Sequence, residues 1–180
     1  MFNLISHSSP DAKNNIIHYT TSDKQPVDLY ETTGFGNVTM ISNTYDSEAD
    51  LGTILFDADL VEIPQKMFYM CYTLTSVELP DYIKSIPDSA FAECKALETV
   101  ILPEGLTYIG YSAFVNCSAL KNIELPESIT SISQAAFSGC KSIETITLPE
   151  GLTYIGGFVF NGCESLTSIN IPESLDGLNT

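Results

Sequence analysis

The 180-residue chain has no arginine and no tryptophan, and its seven lysines stand against 23 aspartates and glutamates, for a formal net charge of −16. Without guanidinium forks or a basic stripe it lacks the footprint of a nucleic-acid binder and of a protein held on anionic lipid. Long apolar runs are missing too. No window approaches the roughly 18 consecutive apolar residues of a membrane helix, so no membrane insertion is expected, and Met1–Pro10 has no apolar core of a secretory leader. Histidine occurs only as His7 and His18, which leaves little from which to build a general base, and none of the many carboxylates sits in a glycosidase or protease motif. The five cysteines are odd in number and contain no Cys-x-x-Cys, which argues against a closed disulfide framework and a zinc knuckle. Gly34-Phe35-Gly36 lacks the third glycine of a dinucleotide fingerprint and reads as a turn. No catalytic residue, metal or cofactor is therefore expected.

The composition that remains is 44% hydrophobic and 17% charged, ample for a core. Its order is periodic. Leu79-Pro80 recurs as Leu102-Pro103, Leu125-Pro126, Leu148-Pro149 and Ile171-Pro172, always 23 residues on. The cysteines keep the same step (Cys71, Cys94, Cys117, Cys140, Cys163), as do Phe68, Phe91, Phe114, Phe137 and Phe160. Aliphatic columns run through Val77, Val100, Ile123, Ile146 and Ile169, and through Ile63, Ile86, Ile109, Ile132 and Ile155. A unit of this size cannot bury its apolar face alone, so the units must stack.

Each unit reads as a short strand such as Ser76–Leu79, ended by a proline that cannot donate to a ladder, then a turn and an Ile-containing return. A compact Ala-Phe-x-x-Cys segment follows, whose spacing predicts a short helical or 3₁₀ turn with one apolar face. Alternation points Val77 and Leu79 inward, and puts Ser76, Glu78, Thr99, Ile101, Asn122, Glu124, Thr145, Thr147, Ser168 and Asn170 on the outer strand face. Parallel stacking sets the cysteines side by side in a geometry unsuited to disulfides, so they are expected to be buried, reduced and space-filling. The phenylalanines are expected to stack. The acidic column after the proline, Asp81, Glu104, Glu127, Glu150 and Glu173, reads as a solvated rim. Asn37-Val38-Thr39 and Asn116-Cys117-Ser118 match the glycan acceptor pattern only weakly.

These residues resemble the BspA-like class of leucine-rich repeat. Ser89–Ile109, Ser112–Ile132 and Ala135–Ile155 carry its pattern, Ala-Phe-x-x-Cys-x-x-Leu-x-x-Ile-x-Leu/Ile-Pro followed by an apolar residue and Ile, and the match extends from about Leu51 to Leu178. "NIIHYTTSD" and "ISNTY…GTILFD" also look like the module that precedes such repeats in surface proteins of anaerobic bacteria. The resemblance implies a right-handed solenoid, an extracellular or cell-surface setting, and adhesion or protein binding, with a host extracellular protein as partner and no catalytic residues to carry over.

The expected fold is an α/β repeat, a leucine-rich-repeat solenoid of 23-residue coils with a parallel strand ladder, preceded by a small antiparallel β cap. Residues 1–10 form a flexible lead-in, 11–50 the cap, with strands at Ile16–Thr20, Val27–Tyr30 and Val38–Ser42, and 51–180 the solenoid of about five coils. Asp57 and Met67 stand where later coils have Pro80 and Ala90, which marks an atypical first coil. The outer strand face is the candidate partner-binding surface. A carbohydrate-binding module using Tyr82, Tyr108, Tyr111 and Tyr154 in the returns is the alternative, as is a repeat segment of a larger surface protein. An uncovered strand at Ser168–Ile171 predicts end-to-end self-association or continuation into a longer chain.

Overall fold

The computed structural model describes residues 14–178; the expected lead-in and His7 lie outside them. Three strands open the chain: β1 (Ile16–Thr21), β2 (Met40–Asp46) and β3 (Leu51–Phe56). The coils then alternate two ladders. One series, divided after β8, comprises β4 (Leu74–Glu78), β6 (Thr99–Ile101), β8 (Asn122–Ile123), β10 (Thr145–Ile146) and β12 (Ser168–Ile169); the other comprises β5 (Ser85–Ile86), β7 (Tyr108–Ile109), β9 (Ser131–Ile132) and β11 (Tyr154–Ile155). The returns pair in parallel as one four-stranded sheet.

The cap is not a separate layer. Its strands join the solenoid in one six-stranded sheet of order β2-β3-β1-β4-β6-β8, with β1 antiparallel to both β3 and β4 and the coils parallel thereafter. Two sequence expectations for the cap change. Val27–Tyr30 forms no strand, because Val27 N–H donates to the Tyr19 hydroxyl at 3.2 Å and its carbonyl accepts from Asn43 Nδ2 at 2.8 Å, so side chains take both ladder groups. The strand expected at Val38–Ser42 begins at Met40 and continues to Asp46, through polar residues without apolar alternation. Leu51–Phe56, assigned from sequence to the first coil, lies antiparallel between β1 and β2.

Inside the solenoid the columns become stacks. Phe68, Phe91, Phe114, Phe137 and Phe160 lie with successive ring centroids 5.0, 5.2, 5.3 and 5.9 Å apart and planes within 7° of parallel. Phe68 through Phe137 are fully buried and Phe160 partly so. The Ala-Phe-x-x-Cys segment is not helical. Its i→i−3 bonds, such as Tyr69 N–H to Lys66 O and Cys71 N–H to Phe68 O, alternate with bonds to the next coil, such as Phe68 N–H to Ala90 O and Met70 N–H to Ala92 O. Every second amide thus leaves the segment, and a helix cannot propagate. The turns need two left-handed positions per coil, at Lys66, Ser89, Ser112, Ala135 and Phe158 and at Met70, Glu93, Asn116, Gly139 and Gly162. Glycine meets that demand without steric penalty in the last two coils, where other residues pay about 1–2 kcal/mol.

Four cysteines are buried and all five are free, but Cys163 in the last described coil is partly exposed, against the expectation that all would be buried. They do more than fill space. Cys94, Cys117, Cys140 and Cys163 each donate their S–H to the carbonyl of a phenylalanine in the preceding coil, Phe68, Phe91, Phe114 and Phe137, at 2.9–3.2 Å. Cys71, which has no preceding coil, donates instead to Asp28 O in the cap at 3.1 Å.

Candidate functional site

Strand pairing fixes which side chains share the outer face, because directly opposed residues point the same way. Ser76 and Thr99 share one row, to which Asn122 belongs by backbone register, and Glu78 lies beside Ile101. Thr145 and Ser168 are opposed on a separate two-stranded sheet, β10–β12. The continuous five-rung ladder expected from sequence is therefore divided after β8. The strands β8, β10 and β12 are only two residues long, so each of these junctions has almost no redundant pairing.

Glu78, Glu124, Thr145, Thr147, Ser168 and Asn170 are exposed, while Ser76, Thr99 and Ile101 are half-buried. Glu124, Thr147 and Asn170 lie just past the strand ends. Asn170 is held in place: its amide accepts from Leu148 N–H at 2.7 Å and donates to Leu148 O at 2.8 Å, so it replaces a ladder rung between two coils. Ile101 and Glu124, with Thr99, line a cleft of about 630 Å³ floored by Leu102 and Leu125 and bordered by Glu104 and Glu127 of the acidic column. All five members of that column are exposed.

The face continues into the cap, which the sequence did not reveal. His18 is opposed to Glu78 on one side and Thr53 on the other, Thr53 to Thr44, and Thr20 to Ser76. One row thus crosses five strands as Thr44, Thr53, His18, Glu78 and Ile101. The Thr20 hydroxyl lies 2.7 Å from that of Ser76 and 2.6 Å from that of Thr75, pinning cap to solenoid. Ile17, Tyr19 and Thr21 face inward along β1, and nothing in the sequence told that β4 would be β1's partner. His18 Nδ1 is buried with no hydrogen-bond partner among the described residues, so no hydroxyl nucleophile is engaged by it there. Among the same residues no group of three or more His, Cys, Asp and Glu side chains is placed to hold a metal, and no helix is long and apolar enough to cross a membrane.

A scan against protein families matches residues 61–180 to the BspA type leucine rich repeat region, in six copies. The chain belongs to the BspA-type leucine-rich repeat family. Beyond the fifth cysteine, buried Leu175 in the 3₁₀ helix Glu173–Leu178 continues the column of Ile83, Leu106, Ile129 and Leu152. A search of curated proteins finds no match. Among solved structures, the T. pallidum leucine rich repeat protein is 36% identical with a TM-score of 0.63, over 64% of this chain and 54% of that one. A leucine-rich repeat protein of Bacteroides ovatus is 38% identical with a TM-score of 0.63, over 67% of this chain and 31% of the other. A leucine rich cell surface protein of Faecalibacterium prausnitzii is 35% identical with a TM-score of 0.62, over 67% and 32%. This BspA-type chain spans about half of the first and about a third of the others. Repeats of this family are generally scaffolds rather than catalysts.

Proposed function

We propose that the chain is a non-catalytic protein-interaction module of a bacterial protein working outside the cell or on its surface, and that it engages a partner, such as a host extracellular protein, through the outer strand face. The supporting observation is the register that carries one polar face from Thr44 on β2 across His18 and Glu78 to Ile101, with Thr20, Ser76 and Thr99 in the row beside it and Asn122 in backbone register with them. Short side chains on a rigid sheet lose little entropy on binding and admit a partner's backbone closely. The cleft beside Ile101 adds an apolar seat with an acidic border, which favours a partner offering an apolar residue flanked by lysine or arginine. The extracellular setting in this proposal is supported by the family and by the cell surface protein of Faecalibacterium prausnitzii that the chain resembles.

Binding to a panel of purified host extracellular proteins should single out a partner, and Glu124→Arg with Thr145→Arg, both at exposed positions, should lower its affinity at least tenfold while the thermal midpoint stays within about 2 °C. Unchanged affinity, with loss on replacing Tyr108 and Tyr154 instead, would move the site to the returns. The carbohydrate reading draws on that second surface, where Tyr82, Tyr111 and Tyr154 are about half exposed; a glycan array that lights up and is silenced by Tyr154→Ala would favour it. We also propose that the face of the last described coil, where Phe158 is 70% and Ile171 69% exposed, is covered either by self-association or by further coils of a longer chain.

A further inference from the structure

A second recess lies away from the strand face, where the loop after β1 folds over the turn that precedes β4. It encloses about 540 Å³ and is lined by the aromatic rings of Tyr30, Tyr69 and Tyr72 together with Asp23, Asp28 and Met70. None of the ten strand-face positions contributes to it. The loop is fastened at three points: Ser22 N–H to Thr73 O at 2.8 Å, Tyr30 N–H to Met67 O at 3.0 Å, and the Cys71 thiol to Asp28 O at 3.1 Å. The recess is thus pre-organised, and a ligand entering it need not order the loop.

The charged residues that line it, Asp23 and Asp28, are both acidic. Tyr30 and Tyr69 meet edge to face, centroids 5.2 Å apart and planes at 81°, so their rings form a corner rather than the single flat platform that suits a sugar face. Two of the three rings already receive ammonium groups: Lys66 Nζ lies 5.9 Å from the Tyr69 centroid and Lys95 Nζ 5.5 Å from that of Tyr72. Neither lysine lines the recess. Asp23 and Asp28 take part in no ion pair among the described residues. Ring faces attract cations through their quadrupole, nearby carboxylates add direct attraction, and a chain of net charge −16 concentrates cations around it.

We propose that this recess is a second binding site, which takes the arginine or lysine side chain of an extended basic segment of a partner protein, the cation lodging between tyrosine rings and the Asp23 and Asp28 carboxylates. The proposal is independent of the strand-face reading. Its probe is acetyl-Gly-Arg-Gly-Arg-Gly-amide, titrated into the full chain and followed by the ring resonances of the tyrosines, beside the same peptide with citrulline, a neutral isostere, at both arginines. The arginine peptide should shift Tyr30, Tyr69 and Tyr72 saturably and bind at least tenfold more tightly than the citrulline peptide. Tyr30→Leu and Asp28→Asn, both at exposed positions, should each weaken it at least fivefold, while Tyr82→Leu leaves it unchanged. Equal affinity for the citrulline peptide would overturn the proposal. So would shifts spread over the acidic surface and insensitive to Tyr30→Leu, or a recess that answers only to neutral oligosaccharides.

Discussion

Phe114 shows what a single position contributes to this molecule: both faces of its ring are covered by rings of its own kind, 5.2 and 5.3 Å away, and none of it meets water. Phe114→Ala opens a void inside a stack whose neighbours are fixed by their own backbone ladder, so the site cannot collapse. It should cost about 3–5 kcal/mol on urea unfolding. Phe160→Ala, at the partly buried end of the same stack, should cost less than half as much. The thiols carry a second residue-scale prediction. Burial pushes the Cys94, Cys117 and Cys140 thiols up. An unfolded cysteine loses its proton near pH ~8.5 and these keep theirs, so their stabilisation is complete below about pH 8.5 and falls as pH rises, by about 1.4 kcal/mol per pH unit for each retained thiol. Between pH 9 and 10, Cys117→Ala should flatten the loss of unfolding free energy, read from urea unfolding at each pH. In native protein at neutral pH a thiol reagent should find about one equivalent, at Cys163, and five once the chain is unfolded.

At the scale of elements, the cap turns on a close approach. A Cβ on Gly52 would fall 2.2 Å from carbons of the Tyr19 ring, and Tyr19 is buried with its hydroxyl joined to Val27 and Asn43. Gly52→Ala should therefore displace that ring, destabilise the chain by about 1–3 kcal/mol and raise amide exchange in β1 and β3 before it does so in β7 or β9. Elements of the solenoid were legible because every inward residue returns after 23 positions, so the sequence repeats its own evidence for Phe114 and Cys117 several times over. Those of the cap occur once. The pairing of β1 with β4 joins residues more than fifty positions apart, and the conversion of Val27–Tyr30 from strand to loop depends on side-chain bonds from Tyr19 and Asn43 that no local pattern announces. The turns were misread for a related reason. The spacing of Phe91 and Cys94 fits a helical turn, but left-handed Ser89 and Glu93 are not residue types that advertise positive φ; in their columns Asn116, Gly139 and Gly162 hint at it. Of the candidate site, the alternating strand face was readable, whereas its continuation through His18 and Thr53 and the recess beneath Tyr30 required the fold.

For the whole molecule, stability is a sum of coils and junctions, each coil meeting only its neighbours. The first junction is sealed by β1, and the last described one presents Phe158, Ile169 and Ile171 to solvent. The proposed self-association through that face predicts a weight-average mass that rises with concentration in sedimentation. Phe158→Glu with Ile171→Lys should hold it at the monomer value without lowering the thermal midpoint. A mass independent of concentration in the unmodified chain would remove self-association from the proposal.

Because β1 lies against β4 and is made before it, the docking surface for the first coil exists when that coil is synthesised. A ribosome adding about 5–20 residues per second needs roughly 1–5 s for each 23-residue unit, whereas short-range backbone closure takes microseconds. Every coil can settle on its finished predecessor while the next is still in the exit tunnel. The molecule is thus laid down in the order in which it is read, with a single growing end exposed at any moment.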